Sequence, residues 1–161
     1  MKAFEIDTRL GEMLLADRGD GLAGLWFLDQ HHFPPEAPQW RRERTAAISE
    51  AEDQLNEYLA GERHFFDLRL AGLGTAFQQA VWRRLQAIPF GQRQSYGEIA
   101  ASLGKPGASR AVGAAVGRNP WSIIVPCHRV IGSQGQMTGY AGGLERKKQL
   151  LALEQAGATP E

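Results

Sequence analysis

The chain opens on short runs in which apolar residues alternate or cluster: KAFEID (2–7), EMLLAD (12–17) and LAGLWFLD (22–29), parted by TRLG and RGDG. Apolar runs of this length between turn residues predict strands, and their succession predicts a β-meander. HHFPPEAP (31–38), with three prolines, breaks the pattern and reads as a loop. The period then changes. In TAAISEAEDQLNEYLAG the residues Ala47, Ile48, Ala51, Leu55, Tyr58 and Leu59 recur at helical spacing, and Gly61 is placed to cap the end. HFFDLRL (64–70) alternates again and predicts a further strand.

AGLGT (71–75) reads as a linker, because the pattern beyond it is helical. Thr75 is a good N-cap for a helix with an apolar stripe of Phe77, Val81, Trp82, Leu85 and Ile88, which Pro89 ends. In SYGEIAASLG, Ser95 and Glu98 have capping-box spacing and Gly104 closes the helix. After the turn KPGA, SRAVGAAVGRN forms a second short helix that ends near Asn119-Pro120. Helix, Gly-containing turn and helix outline a helix-turn-helix. SIIV (122–125) is apolar and β-branched, and Pro126 biases Val125 toward extended backbone. The segment therefore predicts a buried strand running to Cys127. A last helix, LERKKQLLALEQAG, is expected to stop at Gly157, with little beyond it. The pattern divides the chain into an α/β domain, 1–74, and a mostly helical domain, 75–161. It contains no internal repeat and no low-complexity segment.

Charge sharpens that division. The 161 residues carry no net charge, yet residues 1–74 hold 8 Lys and Arg against 14 Asp and Glu, while residues 75–161 hold 10 against 4. Balances of −6 and +6 suit a second half that meets a polyanion, or two halves that attract each other. A single cysteine excludes an internal disulfide and any multi-cysteine zinc site. Without an oxidising signature or a signal-peptide pattern, a cytoplasmic location is the default. No stretch approaches the roughly 18 apolar residues that would span a membrane.

The second short helix is poor in base-reading side chains. Between Arg110 and Arg118 it is almost entirely Ala, Gly and Val. Small residues let a helix backbone come close to a sugar–phosphate surface or a minor groove. They equally suit tight helix–helix packing through Ala111, Gly113 and Ala114, with Arg110 an ordinary surface charge.

Cys127 also has two readings. Free cysteine is often core, but His128 and Arg129 are poor neighbours for a purely apolar site, and adjacent imidazole or cationic groups favour a thiolate. In extended backbone the side chains of 127 and 128 point to opposite faces, so a Cys–His pair needs a turn or a bridging water. A histidine base also needs an orienting partner. Glu145 and Glu154 are candidates from the last helix, and only Glu154 lies on its apolar side.

Together, NPWSIIVPCHRVIGSQGQMTGYAGGLERKKQLLALE, with SYGEIA and SRAVGAAVGRNP upstream, resembles the O6-alkylguanine-DNA alkyltransferases over residues 75–155. PCHRV followed by GYAGGL is a highly specific pattern. The resemblance implies a ribonuclease-H-like N-terminal domain and a winged-helix (helix-turn-helix) domain that binds the minor groove. It implies direct-reversal repair of duplex DNA, in which Cys127 irreversibly takes the alkyl group from O6 of guanine, and more weakly from O4 of thymine. His128 would deprotonate Cys127 through a water, Glu154 would orient His128, and Asn119 would brace the site. Tyr140 would lie along the alkyl group, and the carbonyls of Cys127 and Val130 would accept from the guanine amine. Arg110 would fill the gap in the stack and Tyr96 would push the lesion phosphate, with Ala111, Gly113, Ala114 and Arg118 on the DNA-facing helix. The resemblance implies a monomer, with scope for cooperative assembly on DNA, and neither cofactor nor membrane. Some members hold zinc through N-terminal cysteines and histidines. With no cysteine there, His31, His32 and His64 read as surface or core residues, and no metal is expected. Ala141 stands where some members have serine, which leaves the backbone N–H intact. A non-catalytic alkyltransferase-like lesion binder is the alternative, but such proteins replace the cysteine. A Cys-His hydrolase or a transcriptional regulator would leave the basic half or the small-residue helix unexplained.

Overall fold

The computed structural model describes residues 1–158, and the last three residues of the expected second domain lie outside it. Its contacts divide the chain into two units. The first comprises Met1–Leu73 with Pro120–Ile124, and the second comprises Gly74–Asn119 with the residues from Val125 onward.

In the first unit, strands β1 (Lys2–Thr8), β2 (Gly11–Asp17) and β3 (Leu22–Phe27) form the expected antiparallel meander. A two-residue strand that the pattern does not signal, β4 (Arg41–Arg42), joins β1 in parallel, giving the order β3-β2-β1-β4. β2 is buried on both faces from Met13 to Ala16. Leu14 and Ala16 join Ala3, Ala23, Trp26 and Ala37 in one cluster. Met13 and Leu15 point to the opposite face by the alternation of a strand. Helix α1 (Ala46–Leu59) packs on the β1–β2 hairpin and buries Ile48, Leu55 and Tyr58. Gly61, at φ 80, lets α1 end in a Schellman motif, with Gly61 N–H on Tyr58 and Glu62 N–H on Glu57.

The strand expected at 64–70 does not form; only Leu70 pairs, in one isolated bridge to Leu22. The Gln54 side chain of α1 satisfies the backbone there instead. It accepts from Asp67 N–H at 2.9 Å and donates to Asp67 C=O at 3.0 Å. Residues 120–124, which the sequence places with the second half, cover β3. Leu25 N–H donates to Pro120 C=O, Ser122 N–H donates to Leu25 C=O, and the Trp121 indole donates to Leu22 C=O.

The second unit begins with α2 (Ala76–Gln86), whose Thr75 cap forms a capping box with Gln78. Val81, Trp82 and Leu85 of its expected stripe are buried. Strand β5 (Gln94–Ser95) leads into α3 (Tyr96–Ser102), where the box between Ser95 and Glu98 is made. Gly104, at φ 73, closes α3 in a Schellman motif, with its N–H on Ala101 and the Lys105 N–H on Ala100. α4 (Ser109–Gly117) follows and packs on α2 and α3. The Trp82 indole donates to Ala115 C=O at 2.8 Å, which ties α4 to α2. β6 (Val130–Ile131) pairs with β5 in parallel, and α5 (Leu144–Ala158) runs one residue past the expected stop at Gly157. Among the described residues no helix is long and apolar enough to cross a membrane.

Candidate active site

The strand expected at 122–125 is replaced by two sharp bends. Ile123 has φ 71, a left-handed conformation that no strand admits and that a β-branched residue rarely takes. Pro126 has φ −79 and ψ 64, and Cys127 N–H reaches back to Val125 C=O at 2.7 Å, an inverse γ-turn. Cys127–Arg129 then forms a single 3-10 turn, closed by Val130 N–H on Cys127 C=O. Three residues per turn send the side chains of Cys127, His128 and Arg129 in three directions. All three are buried, Cys127 to 5% exposure and His128 to 0%.

Glu154 of α5 gathers two of them. Its Oε2 lies 2.7 Å from His128 Nε2. Arg129 donates to both of its oxygens, Nε to Oε1 and Nη2 to Oε2, each at 2.8 Å. Gly91 N–H reaches Oε1 at 3.3 Å, and Arg129 Nη1 donates to Ile88 C=O at 2.7 Å. Burial alone would raise the Glu154 carboxyl, but the hydrogen bonds from His128 and Arg129 outweigh it and hold it well below its ordinary range. A carboxylate only accepts, so Nε2 of His128 carries the hydrogen and Nδ1 becomes the basic nitrogen. Burial pushes the imidazole below its ordinary 6.5 despite Glu154, so it stands neutral at pH 7 and ready to take a proton.

Burial pushes the Cys127 thiol up to about 11, against the Asn119 hydrogen bond and the charge of Lys147. At rest the sulfur therefore keeps its proton, and attack needs a base. Asn119, at the end of α4, also donates to Val125 C=O at 2.8 Å and fixes the γ-turn.

Two participants escape a reading of the sequence. Arg129 is visible there only as a neighbour of the thiol, whereas it is Glu154's bidentate partner. Lys147 is fully buried, with Nζ on Val130 C=O at 2.5 Å and on Thr138 C=O at 3.1 Å. Burial lowers it to about 8. Its signal is spacing: 147, 150, 151 and 154 lie on one helical face, with Leu150 and Leu151 buried between two charged residues. The Cys127 carbonyl accepts from Val130 N–H and the Val130 carbonyl accepts from Lys147 Nζ. Tyr140 and Ala141 are half-buried in the segment between β6 and α5, and Glu145 is exposed.

The structure separates the two readings of α4. Val112, Ala115 and Val116 form its buried face. Ala111, Ala114, Arg110 and Arg118 are exposed, and Gly113 is half-buried under the Tyr96 ring. Packing through Ala111 and Ala114 is thereby overturned: those small residues face outward. His31, His32 and His64 are exposed, and among the described residues no group of three or more His, Cys, Asp or Glu could hold a metal.

A buried thiol next in sequence to a buried histidine–carboxylate pair, set in a basic unit with a helix-turn-helix, defines a thiol protein of DNA-binding type as a class. Residues 76–156 match the 6-O-methylguanine DNA methyltransferase DNA binding domain, and residues 4–71 match that family's ribonuclease-like domain. The chain belongs to the 6-O-methylguanine DNA methyltransferase family. It is 51% identical to a Mycobacterium tuberculosis methylated-DNA–protein-cysteine methyltransferase over 95% of this chain and 92% of that one. It is 45% identical to the constitutive enzyme of that name from Bacillus subtilis, over 92% of each. The crystal structure of Mycobacterium tuberculosis OGT in complex with DNA superposes with a TM-score of 0.89 at 49% identity, covering 98% of this chain and 95% of that one. The two units are accordingly a ribonuclease-like domain and a DNA-binding domain.

Proposed function

We propose that the protein repairs duplex DNA directly, moving an alkyl group from O6 of guanine, and more weakly from O4 of thymine, onto Cys127 in a single irreversible turnover. The observation that carries this reading is the buried Cys127 thiol beside the His128–Glu154 pair, 2.7 Å across, within the DNA-binding domain. The target atom is inaccessible inside a duplex, so the base must be extruded. Arg110 fills the space it leaves, Tyr96 bears on the phosphate, and the exposed small residues of α4 let the backbone approach the minor groove.

The chemistry balances without a cofactor. Through a water, His128 Nδ1 takes the thiol proton, and Glu154 stabilises the imidazolium. Sulfur attacks the alkyl carbon, so an S–C bond forms as the C–O6 bond breaks. Guanine leaves with the bonding pair and recovers the proton at N1. Tyr140 and backbone donors stabilise the charge that develops on the leaving base, and Val130 C=O orients its amine. The thioether's leaving group would be the Cys127 thiolate, too poor a leaving group for water to displace, which ends the cycle. The cysteine at 127 separates this reading from that of a non-catalytic lesion binder. All the residues invoked come from one chain, so a monomer suffices, and copies can assemble along DNA. A single free thiol suits a reducing cytoplasm.

The test is to incubate the protein with duplex DNA carrying one O6-methylguanine, digest it, and weigh the Cys127 peptide. One added methyl group, at no more than one equivalent per chain, is expected. Cys127→Ser should abolish transfer and retain DNA binding. Multiple turnover, or an unmodified Cys127 after repair, overturns the proposal.

A further inference from the structure

Tyr96 and Thr138 are far apart in sequence, yet their hydroxyl oxygens lie 2.9 Å apart, part-buried. The Tyr96 ring covers Gly113 of α4; a Cβ at that glycine would lie 3.8 Å from two ring carbons. Thr138 belongs to the segment between β6 and α5 that also carries Tyr140 and Ala141. Its carbonyl accepts from Lys147 Nζ, and the same Nζ holds Val130 C=O. A continuous chain of contacts thus runs from α4 through Tyr96, Thr138 and Lys147 to the residues around the thiol.

The hydroxyl pair has an uneven hydrogen count. Each hydroxyl has one hydrogen to give, and one bond between them uses one of the two. The other needs an acceptor. The phenol is the more acidic of the two groups and so the better donor to an anion, whereas threonine can donate to the phenol oxygen without loss.

We infer that Thr138 is a positioning residue for reaction on duplex DNA: its hydroxyl donates to Tyr96, which aims the phenol hydrogen at a DNA phosphate, while its carbonyl links that engagement to Lys147. The inference rests on the alkyl-transfer reading above. It gives Thr138 a role in DNA-coupled reaction rather than in chemistry at sulfur, so substrate form discriminates it from a merely structural residue.

The experiment compares rate constants for transfer from a duplex carrying one O6-methylguanine and from free O6-benzylguanine, in wild type, Thr138→Val, Tyr96→Phe and the double variant. Valine keeps the shape and the carbonyl and removes only the hydroxyl. The ratio of duplex to free-base rate should fall about fivefold in Thr138→Val, the size of one neutral hydrogen bond. Thr138→Val should add nothing on top of Tyr96→Phe, and Thr138→Ser should restore most of the ratio. Equal losses on both substrates, an unchanged ratio, or losses that multiply in the double variant overturn the inference. A wild-type protein inert toward both substrates is a different result and sinks the alkyl-transfer reading itself.

Discussion

The two units treat charge in opposite ways. The first pairs its charges at the surface: Lys2 with Glu43, Arg18 with Asp20, Arg44 with Glu52 and Arg63 with Glu57. The second buries Arg129, Glu154 and Lys147 around the thiol, while Arg110 and Arg118 stand exposed with no ion-pair partner among the described residues. Exposed pairs are worth about 0.2–1 kcal/mol each and are screened by salt. A buried pair must overcome desolvation, and apolar packing of the same volume often does as well. Stability alone therefore gives little reason for the buried network. Under the proposed function its use is chemical: Glu154 would hold the His128 imidazole in one tautomer beside the thiol. Under the proposed function the exposed Arg110 and Arg118 would meet the DNA backbone.

The sharpest way to break this contrast is Glu154→Gln. Removing one partner leaves Arg129 buried without its anion, and a loss of about 3 kcal/mol is expected by urea unfolding, together with loss of most alkyl transfer. The pH dependence gives a second check. His128 in the folded protein lies below its ordinary 6.5, so under acidification the unfolded chain takes up a proton first, and stability falls below about that pH. Glu154 is held below its ordinary 4.5, so its contribution, present above that pH, is lost in a second fall below it. The variant should show a smaller second fall, what remains coming from Asp20 and Glu43, whose carboxyls also lie below their ordinary values. An unaltered unfolding midpoint would remove the distinction between the two units. A smaller effect is expected from Arg110→Ala. Transfer from duplex DNA should drop at least roughly tenfold relative to transfer from a free benzylated guanine, because extruding a base costs a few kcal/mol. Equal losses on both substrates would argue against a place for Arg110 in the base stack. The smallest effect belongs to the first unit. Lys2→Ala should change stability by less than about 0.5 kcal/mol and leave transfer unaltered. A loss well above that would show that its surface pairs matter more than the contrast allows.

How far the sequence can be read follows the same physics. Helices α2 and α3 are legible because their signals are local: Thr75 with Gln78, Ser95 with Glu98, and an apolar stripe between cap and stop. The meander is legible from short apolar runs and turn residues. Residues 64–70 and 122–125 mislead because their composition suits a strand while their backbone partners lie elsewhere. Gln54 takes Asp67, and Ile123 turns left-handed. No local pattern announces either event. At the site, Cys127, His128 and Glu154 stand out as chemistry-bearing types in a telling order. Arg129 and Lys147 do not, because a cation in a sequence reads by default as surface. Only the helical spacing that puts Lys147 on the face of Leu150, Leu151 and Glu154 hints otherwise.

The short stretch 120–124 has a consequence for how the chain is made. It closes the open edge of β3, yet it is encoded after α2, α3 and α4. A chain emerging from the ribosome in order has its meander and α1 available long before the residues that pair with the backbone of Leu25. Until then Leu22 is paired with residues 69–71, but the Leu25 end of the β3 edge presents bare N–H and C=O groups, the kind of edge that invites pairing with a neighbouring chain. The first unit reaches its final form only when most of the second has been synthesised, so a nascent chain stalled before residue 120 would be the form most prone to aggregate.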